Sequence, residues 1–209
     1  MNLVRAMALA AASVASLSPT LALAHHGIDG RTPSTFAEGL ISGLAHPVLG
    51  LDHLVFLLAA GLAAGALRLG LGILGLFILA SIGGLVCHLA SLDLPLAETA
   101  VAATILALGL AAGSRSEIGR KGWMILFAVA GLLHGYAYGE SIVGAAPPPL
   151  MGYLLGLGLV QGLLASLCYL AGHKLADGVG HARPELRHLG ALLAVIGVVF
   201  VFVSLRAGA

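Results

Sequence analysis

The side chains able to do chemistry in this sequence are histidines and carboxylates set inside apolar stretches. The densest group is His46-Pro47-Val48-Leu49-Gly50-Leu51-Asp52-His53. An aspartate deep in lipid costs about 2.5–3.5 kcal/mol even on the gentler insertion scales, so it needs a partner or a wet cavity. On a continuous helix, at about 100° per residue, His46 and His53 share a face. Pro47 and Gly50 can kink the turn between them, bring Asp52 round and release carbonyls toward an ion. Imidazole nitrogens with a carboxylate suit nickel, cobalt or zinc; magnesium and calcium prefer all-oxygen shells. The competing reading is a buried ion pair or a hydrogen-bonded histidine that locks helix packing. Two histidines and an aspartate within so short a run favour ligation.

A second group, His134-Gly135-Tyr136-Ala137-Tyr138-Gly139-Glu140, supplies another imidazole and another carboxylate, and His88 lies near the end of a different apolar run. His88 and Glu140 also read as interfacial residues wetted by headgroups. His25 and His26 can chelate nickel or copper through an amine, a backbone nitrogen and imidazole, provided that the mature chain begins there. His173, His181 and His188, spread among Lys174, Arg183 and Arg187, read as loop residues with a handoff role for departing metal as the alternative. Gly72, Gly75, Gly83, Gly84, Gly152, Gly156 and Gly158 read as sites of close helix approach. No HExxH, GxSxG or Walker pattern occurs, which argues against an enzyme.

The elements that must position these groups are membrane spans. The chain is 59% hydrophobic and only 9% charged over 209 residues, far from a soluble composition. A net charge of +1 without a basic tract argues against a nucleic-acid partner and leaves the lipid bilayer as surroundings. Residues 1–24 read as a cleaved signal peptide: Arg5, an apolar run, a break at Ser18-Pro19-Thr20 and the small-residue pattern Ala22-Leu23-Ala24. Residues 25–209 then form one membrane domain with six apolar segments, at about 37–64, 68–90, 96–113, 121–140, 149–173 and 187–206. The expected fold is all-α. With the mature N-terminus periplasmic, the interior loops carry Arg68, Arg115, Arg120, Lys121, Lys174, Arg183 and Arg187, against Arg31 and Arg206 outside. That bias obeys the positive-inside rule for a bacterial inner-membrane protein. Cys87 and Cys168 fall near opposite faces and read as unpaired core residues.

The halves of the chain echo each other. Gly43-Leu44-Ala45-His46 precedes Asp52 as Gly131-Leu132-Leu133-His134 precedes Glu140, and Cys87-His88-Leu89-Ala90 answers Cys168-Tyr169-Leu170-Ala171. A 3+3 inverted-topology repeat is the reading this suggests. Chance similarity in a Leu-, Gly- and Ala-rich chain is its rival.

On these residues the chain resembles the HupE/UreJ family of bacterial nickel or cobalt permeases associated with hydrogenase and urease maturation. The motifs are HPxxGxDH at His46 to His53 and HGxAxGxE at His134 to Glu140, following a cleaved signal and six spans. The resemblance implies that His46, Asp52, His53, His134 and Glu140 carry the family's role, with no tightly bound cofactor and nickel or cobalt as cargo. It implies a secondary permease, not an enzyme, and a metallochaperone as a fitting cytoplasmic partner. Tyr138 stands where family members often have histidine, and Leu57 and Leu58 where a methionine is common. An intramembrane zinc hydrolase and a structural subunit of a larger complex are the alternatives.

Overall fold

A computed structural model describes residues 31–114, 118–178 and 183–207. The expected signal peptide over 1–24, His25, His26 and His181 lie outside the described residues. The described residues form seven α-helices in order: α1 Phe36–Leu49, α2 Leu51–Ala66, α3 Gly72–Leu89, α4 Ala97–Gly113, α5 Arg120–Gly139, α6 Pro147–Gly178 and α7 Arg183–Ala207, with a short 3₁₀ turn at Glu140–Ile142. Each expected apolar segment coincides with one helix, except the first, which is two.

α1 begins where sequence chemistry demands. The Glu38 N–H donates to Thr35 Oγ1 at 3.2 Å, and Glu38 Oε2 accepts from the Ser34 backbone N–H at 2.7 Å and the Ser34 hydroxyl at 2.9 Å. This reciprocal arrangement satisfies donors that a helix start leaves open. α1 ends at Gly50, whose φ of −74° and ψ of 103° are extended rather than helical. Pro47, in the last turn, has no N–H to give to the helix ladder. Gly50 closes α1 by donating to the His46 carbonyl at 3.0 Å and opens α2 by accepting from the Leu54 N–H at 2.9 Å. The two helices meet at 76°. His46 and His53 therefore do not share the face of one continuous helix; the break, and not the helical repeat, brings them together.

α3, α5 with its 3₁₀ turn, α6 and α7 are each long and apolar enough to cross a membrane, and the bent α1–α2 pair would make a fifth span. α4, with 17 residues, is apolar but shorter. Leu79, Ile125, Met151 and Leu163 are 70%, 65%, 65% and 60% exposed, an outward apolar surface that only lipid solvates well. The protein is a multi-pass membrane protein.

In lipid, helices associate through close packing and not through hydrophobic gain, so small residues set the contacts. Gly39 and Gly43 of α1 abut the backbone at Pro149 and Tyr153 of α6, and Gly61 and Gly65 of α2 abut Ala165 and Tyr169. α1–α2 thus runs parallel to α6, leaves it around the break and rejoins it. Gly84 of α3 and Gly131 and Gly135 of α5 leave no room for a Cβ against Leu132, Phe77 and Ser81, which makes α3 and α5 a parallel pair. Gly109 of α4 and Gly190 of α7 seat an antiparallel pair. Of the glycines read as packing sites, Gly84, Gly152 and Gly156 hold that role, and Gly83 meets Leu132 at an ordinary 3.6 Å. Gly72, Gly75 and Gly158 face open space, because the seams run along other faces of their helices.

Candidate metal site

The break places His46 in the last turn of α1 and His53 in the first turn of α2, with ring centroids 5.6 Å apart. His134 of α5 comes against His53, their Nδ1 atoms 2.8 Å apart and their centroids 4.9 Å apart. Exposure is 3%, 0% and 0% for His46, His53 and His134. Three histidines from two expected motifs, far apart in sequence, thus share one buried cluster. Asp52 is half-buried beside it and accepts the His53 N–H on Oδ1 at 2.8 Å. Its carboxylate sits in the first turn of α2, where the helix dipole favours negative charge.

Several polar residues that the sequence reading did not single out complete the cluster. His46 Nδ1 lies 2.9 Å from both Ser141 Oγ and the Tyr153 hydroxyl, and that hydroxyl donates to the Tyr138 carbonyl at 2.7 Å. His134 Nε2 lies 2.9 Å from Thr104 Oγ1, which donates to the Val101 carbonyl at 2.6 Å. The available signal was a hydroxyl inside an apolar helix, where a polar group must find a partner. The Tyr138 ring sits 4.4 Å from His53 and 5.1 Å from His46, and its buried hydroxyl has no hydrogen-bond partner among the described residues. Phe56 and Phe77, 4.5 and 5.7 Å from His134, stack on each other at 5.4 Å and floor the cluster. Ser81 and Gln161 form a separate buried polar pair at 3.2 Å.

His88 and Glu140 stand apart from the rings. His88 packs on Tyr136 at 4.5 Å and beside Gly139, and Tyr136 spans from its hydroxyl to the Leu92 carbonyl and the Leu94 N–H. Glu140 opens the 3₁₀ turn and is exposed, although its neighbour Ser141 reaches His46. His173, expected in a loop, lies within α6 with Nε2 3.0 Å from Arg68, because α6 runs on to Gly178. Cys87 and Cys168 are free thiols. Among the described residues, no three His, Cys, Asp or Glu side chains are gathered closely enough to hold an ion.

The arrangement offers two imidazoles on either side of a helix break, a carboxylate at the following helix N-terminus and surrounding hydroxyls. Nitrogen and oxygen donors of this kind suit first-row divalent metals. A family model described as HupE / UreJ protein matches residues 12–200. The chain is also similar to Protein HupE of Rhizobium leguminosarum bv. viciae, with 30% identity over 167 residues that cover 79% of this chain and 78% of the relative. No solved structure matches. With so much of its length matched, the chain belongs to the HupE/UreJ family.

Proposed function

We propose that the protein is a secondary permease that carries nickel, or cobalt, into the cell across the bacterial inner membrane. The HupE/UreJ family is a hydrogenase and urease accessory family of nickel and cobalt transport, and membership favours transport over an intramembrane zinc hydrolase. The observation that carries the reading is the break at Gly50, with His46 and His53 on either side and Asp52 beside them. Broken helices place carbonyl ends and helix N-termini where a transported ion must shed water, which is how many secondary transporters build their sites. A cargo site must also release its ion. Two imidazoles and one carboxylate that close round the metal only on binding suit that need better than a rigid cage.

In this reading the signal peptide is removed, six spans follow a periplasmic N-terminus, and the pairing of α1–α2 with α6, α3 with α5 and α4 with α7 is the pattern that a 3+3 inverted repeat would generate. Metal captured near His25, His26, Glu140 and His88 passes to a site built from His46, Asp52 and His53 with His134 behind them, and leaves toward a cytoplasmic metallochaperone. The chain has no nucleotide-binding motif of its own, so flux follows the metal's electrochemical gradient or a coupled proton.

The test is reconstitution in sealed vesicles with a trapped chelating dye, beside His46→Ala and Asp52→Asn, with cobalt and zinc as competitors. Saturable nickel entry, lost in both variants, is the expected outcome. Stoichiometric binding without entry would replace the permease reading with a sensor or metallohydrolase.

A further inference from the structure

The hydrogen-bond directions around the three buried histidines determine where their protons sit. Thr104 has one hydroxyl proton, and its 2.6 Å contact with the Val101 carbonyl requires it there. The Thr104 oxygen therefore accepts in its 2.9 Å contact with His134 Nε2, which must carry hydrogen. A neutral His134 then has its lone pair on Nδ1. The partner at 2.8 Å, His53 Nδ1, must be the donor, which leaves the lone pair of His53 on Nε2. The same logic runs on the other side of the break. Tyr153 spends its single proton on the Tyr138 carbonyl at 2.7 Å, so its 2.9 Å contact with His46 requires hydrogen on His46 Nδ1 and the lone pair on Nε2.

We infer that His134, Thr104 and Tyr153 are positioning residues that hold His46 and His53 as Nδ1–H tautomers, so that both present Nε2 to a divalent cation. This rests on the permease reading and deepens it. Both ring nitrogens of His134 are engaged, one by Thr104 and one by His53, so this histidine acts on the cation through His53. A metal-bound imidazole generally has its other nitrogen fixed by a hydrogen bond, which sets tautomer and ring orientation. Thr104 comes from α4, His134 from α5 and Tyr153 from α6, so three further helices orient two ligands carried by α1 and α2.

The test uses full-length protein with ¹⁵N-labelled histidine in lipid, as wild type, Thr104→Val, Thr104→Ser and Tyr153→Phe. Ring ¹⁵N shifts of the metal-free protein report each tautomer, with His46→Ala, His53→Ala and His134→Ala assigning the signals. Nickel titration then gives the affinity. The wild type should show Nδ1–H at His46 and His53 and Nε2–H at His134. Thr104→Val should mix the tautomers of His134 and His53 and weaken nickel binding by about 10- to 100-fold, the usual effect of losing an outer-shell partner. Thr104→Ser should restore both, and Tyr153→Phe should disturb His46 alone. Unchanged tautomers in Thr104→Val, or changed tautomers with wild-type affinity, would overturn the assignment of these roles. Wild-type protein that shows the expected tautomers but takes up no nickel would overturn the permease reading and leave the proton positions standing.

Discussion

Alanine at Gly50 separates site geometry from folding. The backbone there, at φ −74° and ψ 103°, lies in a region open to any L residue, so the substitution is free of conformational strain. A Cβ at this position would stand 2.6 Å from His53 Cδ2, whereas ordinary contact begins near 3.4 Å. The ring must give way by about 0.8 Å, several times the roughly 0.2 Å tolerance of a metal–ligand distance. A displacement of that size, whichever way the ring turns, disturbs the 2.8 Å Nδ1–Nδ1 contact with His134, which tolerates only a few tenths of an ångström. Stability should stay within about 1 kcal/mol of wild type, since exchanging Gly for Ala at a compatible site also restricts the unfolded chain. Nickel affinity should fall about 10- to 100-fold, as for other disturbed ligand shells. Gly75→Ala, whose added methyl meets nothing within 4 Å, is the matched control. Initial rates of dye-reported entry give KM, and a thermal melt in the same lipid gives stability. A stable Gly50→Ala protein with wild-type KM would refute the ligand role of His53.

Other outcomes follow from the same geometry. Gly135→Val should prevent normal assembly of the helix bundle, since even a Cβ meets the Ser81 backbone; size-exclusion profiles and melts check this. Tyr138→Phe removes a buried hydroxyl that has no hydrogen-bond partner among the described residues and should raise stability by about 1 kcal/mol, measured by melting. Nickel uptake should decline as the medium is acidified far enough to protonate the cluster, because imidazolium cannot ligate metal, and undiminished rates in fully acidified vesicles would count against a histidine site. Glu140→Gln, altering an exposed carboxylate outside the ring cluster, should slow uptake at low ionic strength and matter little at high salt, as expected for loss of electrostatic steering.

The helices were legible because each apolar run is long and its ends carry Pro, Gly or charge. The break was legible too: Pro47 and Gly50 together in one turn announced a kink, and the structure has it. What the sequence could not convey was how neighbouring helices meet. A lipid-embedded helix is apolar on nearly every face, so periodicity does not reveal which side faces protein. That is why Gly72, Gly75 and Gly158 read like Gly84, although only Gly84 lies in a seam. It is also why the partners of His46 and His134 went unread: Thr104, Ser141 and Tyr153 were lone hydroxyls until α4, the 3₁₀ turn and α6 brought them to the imidazoles.

The glycine seams divide the molecule into couples whose backbones touch. Within a couple, sliding would drive backbone into backbone; between couples, the contacts at the cluster run through the side chains of His53, His134, Thr104, Tyr153 and His46, or through the Tyr153 hydroxyl on the Tyr138 carbonyl. His46, His53 and Tyr153 travel with the α1–α2/α6 couple, His134 and Tyr138 with α3/α5, and Thr104 with α4/α7. The imidazole cluster is therefore a three-way joint. If the cluster holds the ion as proposed, a stroke that rolls one couple against another would change the proton contacts of the histidines and the room between them in the same movement, and would tie ion affinity to the relative tilt of the couples.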